Sequence, residues 1–238
     1  FRNQVARHPE AKLRVALVHK NIFSGSGHQE DDETPLFRAT MLPIMKECEI
    51  DVMLQGHDHC YEVIGPVNPD TKTPILNAIE DLEPTILSAS RNKGGTFTVN
   101  DGTLYFIGAT CGAKRYNPNS KAVMEADLSK HKVENYYDLF TGMFCQPGAP
   151  SYSVFTVDSD TITVNSYRIY KGKAPELFNT FTIKRTKAHG SGGLIGQMIQ
   201  EQGAAKVIYN GHMYILRADI AYNALGQAVA EENILSKL

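Results

Sequence analysis

The chain is poor in cysteine, and its four, Cys48, Cys60, Cys111 and Cys145, include no Cys-x-x-Cys pair. That spacing excludes a zinc ribbon and a thioredoxin motif. The four fit free buried thiols or one or two disulfides equally well, so the redox compartment stays open. No apolar stretch approaches the roughly 18–20 residues of a membrane span. An excess of one charge is also missing. The net charge is -2 and the pI about 6.5, which shows no nucleic-acid or membrane-surface footprint. There is no internal repeat. The first residues lack the basic start, apolar middle and small-residue cleavage site of a signal peptide. They begin at Phe1 and read as the end of a polar helix followed by a core strand. The expectation is a fragment whose N-terminal part, with any targeting signal, lies elsewhere.

What is present is 238 residues, 42% of them hydrophobic, enough for one sizeable core or one domain with a small appendage. Residues 13–18 form an apolar run ending at His19, the pattern of a buried strand. Residues 21–35 are rich in Gly, Ser and acids and read as a loop. Residues 36–48 carry helical apolar spacing interrupted by Pro43, and 50–55 form a second short strand ending at Gly56. An insertion with turn signals covers about 64–101. A strand is expected over 103–109, a glycine turn at 110–112 and helix within 119–139. Residues 152–157 and 161–170 alternate around Asp158-Ser159-Asp160 and predict a hairpin, followed by a strand over 177–184. A flexible linker is expected over 187–193. It separates a main domain, 1–186, from a small β module, 194–238, with a short helix over 194–201 and a hairpin over 206–217 turning at Asn210-Gly211.

The chemistry gathers at strand ends. His19 follows the first apolar run; His57 and His59 follow the second, after Gly56. Functional groups favour loops held by a rigid sheet. Two histidines two apart point to one face in a strand, but in a turn they can reach two neighbouring ions. Neutral imidazole suits Zn, Fe and Mn. Asp58 between them either points away or orients a ligand as an acceptor. His28, in the polar loop, stands where a histidine could contact substrate or give a proton to a leaving group. His8, His131, His189 and His212 lie in polar or linker-like surroundings and read as surface residues. Cys60 reads as a packed thiol. The run Glu30-Asp31-Asp32-Glu33 reads as a solvated loop.

Taken together, VALVHKNIFSGSGH followed by EIDVMLQGHDHCYE resembles the second half of the calcineurin-like metallophosphoesterases, nearest the purple-acid-phosphatase branch. The resemblance covers about residues 10–185 and is most specific over 15–62. It implies an α+β fold, the αββα sandwich, with this chain holding the C-terminal half and mainly one sheet. With the other layer absent, Leu13, Val15, Leu17, Val52 and Leu54 are expected to be exposed. It further implies phosphoester hydrolysis by metal-activated hydroxide at a dinuclear site. His19 and His57 would bind one ion, His59 the other, and His28 would face the substrate. The cofactors implied are two metal ions, Fe with Fe, Zn or Mn. The partners implied are a small phosphoester substrate and the missing N-terminal half. The family's Asp-x-His or Asp-x-Gly, Gly-Asp-x-x-Asp or -Tyr, and Gly-Asn-His motifs do not occur in these 238 residues. Without their carboxylates, the chain alone is expected to bind metal weakly and turn over little. The tail reads equally as a packing hairpin with no function of its own or as similar to short β-modules of some exported bacterial proteins; the latter, like the family resemblance, implies a secreted, periplasmic or envelope location. The competing expectation is a non-catalytic surface or binding module on a degenerate form of this fold.

Overall fold

The computed structural model describes residues 1–76, 95–126, 133 and 135–190, with the backbone of short strands at 79–80, 86–87, 90–91, 204–209, 212–217, 220–222 and 228–229. The chain divides into two compact units, Lys12–Ala188 and Phe1–Ala11 with His189–Leu238. The smaller unit opens with helix α1 (Arg2–Arg7). His189 Nδ1 lies 2.9 Å from the Ala11 carbonyl.

The larger unit begins with β1 (Val15–Leu17), α2 (Thr34–Glu47), β2 (Val52–Gln55) and β3 (Tyr61–Val67). Three two-residue strands follow: β4 (Ile79–Glu80), β5 (Ile86–Leu87) and β6 (Ser90–Arg91). Then come β7 (Thr96–Thr98), β8 (Thr103–Gly108), α3 (Lys121–Ala126) and β9 (Phe144–Cys145). The hairpin β10 (Ser151–Val157) and β11 (Thr161–Arg168) and the strand β12 (Glu176–Lys184) complete it. These strands form two mixed sheets, ordered β1-β2-β8-β3-β9-β6-β5 and β10-β11-β12-β7-β4. In the first sheet β1, β2 and β8 run parallel, and β3 is antiparallel to β8.

One core joins the two sheets. Val52, Tyr61, Val63, Leu104 and Phe106 from the first meet Phe97, Ile162, Val164, Phe181 and Ile183 from the second. The Phe106 and Phe181 rings are 5.5 Å apart. The Tyr61 hydroxyl, which could not be buried unpaired, bonds Ser166 and accepts from Asn179 across the same interface. The larger unit therefore holds two sheets rather than mainly one. The second sheet covers the face expected to lie bare: Val52 is buried, and Leu13 and Leu54 are half-buried. Only Val15 and Leu17, on edge strand β1, remain open, at 47% and 79% exposed.

Strand β3 was not foreseen. Its seven residues are buried throughout, so it shows no polar–apolar alternation, and Gly65-Pro66 mimics a turn. Helix α2 forms as expected despite Pro43. The helical stretch expected over 119–139 reduces to α3 and a 3-10 turn at Tyr136–Leu139, with 127–132 and 134 outside the described residues. The short helix expected over 194–201 also lies outside them. In the smaller unit β13 (Ala204–Tyr209) and β14 (His212–Arg217) pair antiparallel, with Tyr209 opposite His212. β15 (Ile220–Tyr222) and β16 (Ala228–Val229) continue that sheet.

Candidate metal centre

Because β1, β2 and β8 are parallel, their carboxyl ends open on one edge of the sheet, and the loops leaving them meet there. This is the usual position for a site in a parallel sheet. His19 follows β1, Gly56-His57-Asp58-His59 follows β2, and the loop at 109–120 follows β8. Gly56 donates its N–H to the His19 carbonyl at 3.0 Å. A β-carbon on Gly56 would lie 3.2 Å from His19 Nδ1. Glycine is needed here for close approach, while the left-handed backbone falls on His57, at φ 72°. That is a costly conformation for a non-glycine residue, held by its surroundings.

The loop carrying His28 is fixed from beneath. Gln55, on β2, accepts from the N–H of Ile22 at 2.6 Å and donates to the Phe23 carbonyl at 2.9 Å. Buried Arg38, on α2, donates to the Ile22 carbonyl and lies over the Phe23 and Tyr136 rings. Asp58 accepts from Asn21 Nδ2, the Ser24 hydroxyl and the His28 N–H. It therefore points down and ties the two histidine loops together.

Under Asp58 lies Glu62, fully buried, accepting from the Gly25 N–H at 3.1 Å and contacting the Ser24 hydroxyl at 3.3 Å. Ser24 Oγ touches both carboxyls but has one proton to give. A second proton is needed on the pair to complete both bonds. Burial pushes both carboxyls up, and Asp58 raises Glu62 further, well above the usual range.

Above this support the structure brings three of the expected histidines together and adds one acid. His28 Nδ1 lies 3.0 Å from Asp31 Oδ2, and His57 Nε2 lies 3.8 Å from the same oxygen. The donor atoms of His28, Asp31 and His57 all fall within 4.8 Å of one another. The His28 and His57 rings are 3.8 Å apart, and His19 meets His57 edge-on at 5.3 Å. Desolvation, with His28 and His19 alongside, lowers the His57 pKa and favours the neutral, ligating form. Lys20 pairs with Glu33 and stands 4.0 Å from Asp31.

His59 stands apart from that trio. Its Nδ1 faces the Lys114 carbonyl at 2.8 Å, and its ring stacks on Tyr116 at 4.9 Å. Sequence reasoning passed over Asp31, within a run read as solvated, and also Tyr116 and Gln146; Glu62 closed the quoted motif but was given no role. Asp31 lies three residues beyond His28, and that spacing was its only signal. Tyr116 and Gln146 have none, since their partners are distant in the chain.

The donors fit a metal ion by their chemistry: imidazole nitrogens and a carboxylate oxygen suit Zn, Mn or Fe. No family model matches the chain, and no curated protein matches it. Among solved structures it is similar to a purple acid phosphatase, PPD1, from seeds of yellow lupin (Lupinus luteus). The identity is 15% and the TM-score 0.43, over 75% of this chain and 26% of that one. This chain thus spans about a quarter of the length of that structure. A likeness this distant assigns neither family nor activity.

Proposed function

We propose that this edge of the larger unit is part of the site of a metal-dependent phosphoester hydrolase on an αββα sandwich. The observation that carries the reading is the convergence of His19, His28, Asp31 and His57 beyond parallel strands β1 and β2. His19, His57 and His59 are the proposed imidazole ligands, with Asp31 as a carboxylate donor. His59 has Nδ1 engaged by a backbone carbonyl, the usual second bond of a ligating histidine, which leaves Nε2 for an ion. When bound, such ions supply Lewis acidity toward phosphoryl oxygens and a water of lowered pKa.

The chain's own residues do the rest. Asp31 holds His28 at Nδ1, so Nε2 is the nitrogen left to meet a substrate oxygen or protonate a leaving group. Asp58 fixes the His28 backbone, and Gln55 fixes the start of its loop. A two-ion centre needs more negative charge than Asp31 provides. The remaining carboxylate ligands are therefore assigned to another polypeptide segment.

Titration calorimetry with Zn²⁺ and Mn²⁺, alongside phenyl phosphate hydrolysis, tests this. The chain alone should bind either ion weakly and turn over little. His57→Ala should weaken binding by about tenfold or more, near 1.4 kcal/mol. Robust turnover by the chain alone would overturn the divided site. Metal binding that is absent, or indifferent to His57→Ala, would favour a non-catalytic binding module.

A further inference from the structure

The loop at 109–120 closes one side of the histidine cluster, and the hydrolysis outlined above uses only its Lys114 carbonyl, which orients His59. It is built rather than loose. The Tyr116 carbonyl accepts from the Gln146 side chain and, at 3.0 Å, from the Cys60 thiol. The same Gln146 nitrogen donates to the His59 carbonyl at 2.9 Å, so one amide staples the loop to the metal-motif turn. Further along, the Ser26 hydroxyl donates to the Asn117 carbonyl, and the Asn119 N–H donates to the Gly25 carbonyl. The loop is thereby anchored to both histidine loops.

This anchoring sets Tyr116 at the cluster. Its ring stacks on His59 and stands edge-on to His28 at 5.4 Å. Lys114 Nζ lies 5.0 Å from the Tyr116 ring centroid, a cation–π arrangement that holds the ammonium at the rim. Lys114 and Arg115 are exposed, and among the described residues neither forms an ion pair with a carboxylate. Asp31 contacts His28 and His57, and the lysine near it, Lys20, is engaged by Glu33. Among the described residues, open positive charge beside the cluster therefore lies on the Tyr116 side.

We infer that Lys114, held over the Tyr116 ring, forms with its exposed neighbour Arg115 an anion subsite for a second negative group on the substrate. The substrate class is a phosphomonoester whose alcohol portion bears a carboxylate or another phosphate. The subsite rests on the phosphoesterase reading. Two exposed cations without carboxylate partners favour a ligand that brings its own negative charge.

The test is an NMR titration of the full chain in saturating Zn²⁺ with three probes: phenyl phosphate, 4-carboxyphenyl phosphate and 1,4-phenylene bisphosphate. The second anion should tighten binding by about tenfold at low salt, and the gain should shrink as ionic strength rises. Comparison of the carboxylate and bisphosphate arms identifies which anion the rim favours. In Lys114→Met/Arg115→Met the affinity ratio of the probes with a second anionic group to phenyl phosphate should fall to about one. Equal affinity for all three probes, or a ratio unchanged in the double variant, overturns the subsite alone. Failure of all three probes to bind also overturns the subsite alone, since the phosphoesterase reading, which divides the site between segments, is judged by the His57→Ala metal titration above.

Discussion

At the scale of single residues, His57 combines two costs: a left-handed backbone and partial burial of an imidazole among two others. Strain held at one position is a reason to look for function there. His57→Gly should relieve the backbone and raise stability by about 1 kcal/mol while removing metal affinity. Denaturant unfolding and metal titration of the same variant check both halves. Glu62 makes the second prediction. Its folded-state pKa is raised, so its stabilising effect is complete below the ordinary carboxylate range and is lost as pH climbs toward the folded value. Stability should thus fall as pH rises above the ordinary carboxylate range, and Glu62→Gln, which mimics the neutral form, should flatten that slope. The Asp58 contribution, of the same sign, should remain. Melting temperature against pH for the two proteins gives the answer.

At the scale of elements, the site depends on how loops are tied to strands. β1, β2 and β8 aim three loops at one edge, but side chains from elsewhere fix their conformations. Gln146, adjoining β9, joins the turn after β2 to the loop after β8. Gln146→Ala leaves the Tyr116 and His59 carbonyls short of a donor and should loosen both loops together. Hydrogen exchange should quicken over 109–120 and 57–60, with β2 and β8 themselves unchanged; acceleration spread evenly over the sheet would contradict the staple. The histidines at strand ends were legible because an apolar run closing on a polar residue is a local pattern. Asp31 was not legible. Its run is acidic and polar on the page, and only the 3-10 turn at Gly27–Glu30 brings its carboxylate back to His28.

At the scale of the whole molecule, the larger unit coheres through its two facing sheets. Phe181 is 2% exposed, with its ring 5.5 Å from Phe106 and 5.8 Å from Phe97. Phe181→Ala should cost about 3–5 kcal/mol by lost transfer energy and the cavity left behind. Chemical denaturation would show it as a lowered midpoint. The same facing sheets account for the misjudged exposure. A strand's own pattern shows that a face is apolar; what covers that face is a matter of long-range packing.

The sequence by itself determined the order of the main elements, the hairpin at 151–168 and the positions of His19, His57 and His59 at strand-to-loop junctions, with His28 in the loop between. These follow from local periodicity and turn chemistry, which neighbouring residues set. Tertiary structure decided the second sheet, the buried strand β3, the Ser24–Asp58–Glu62 support, and the inclusion of Asp31 and Tyr116 beside the histidines. Each joins residues that only the closed chain brings together, and each is stabilised by burial or by a bond between distant segments, which local pattern does not encode.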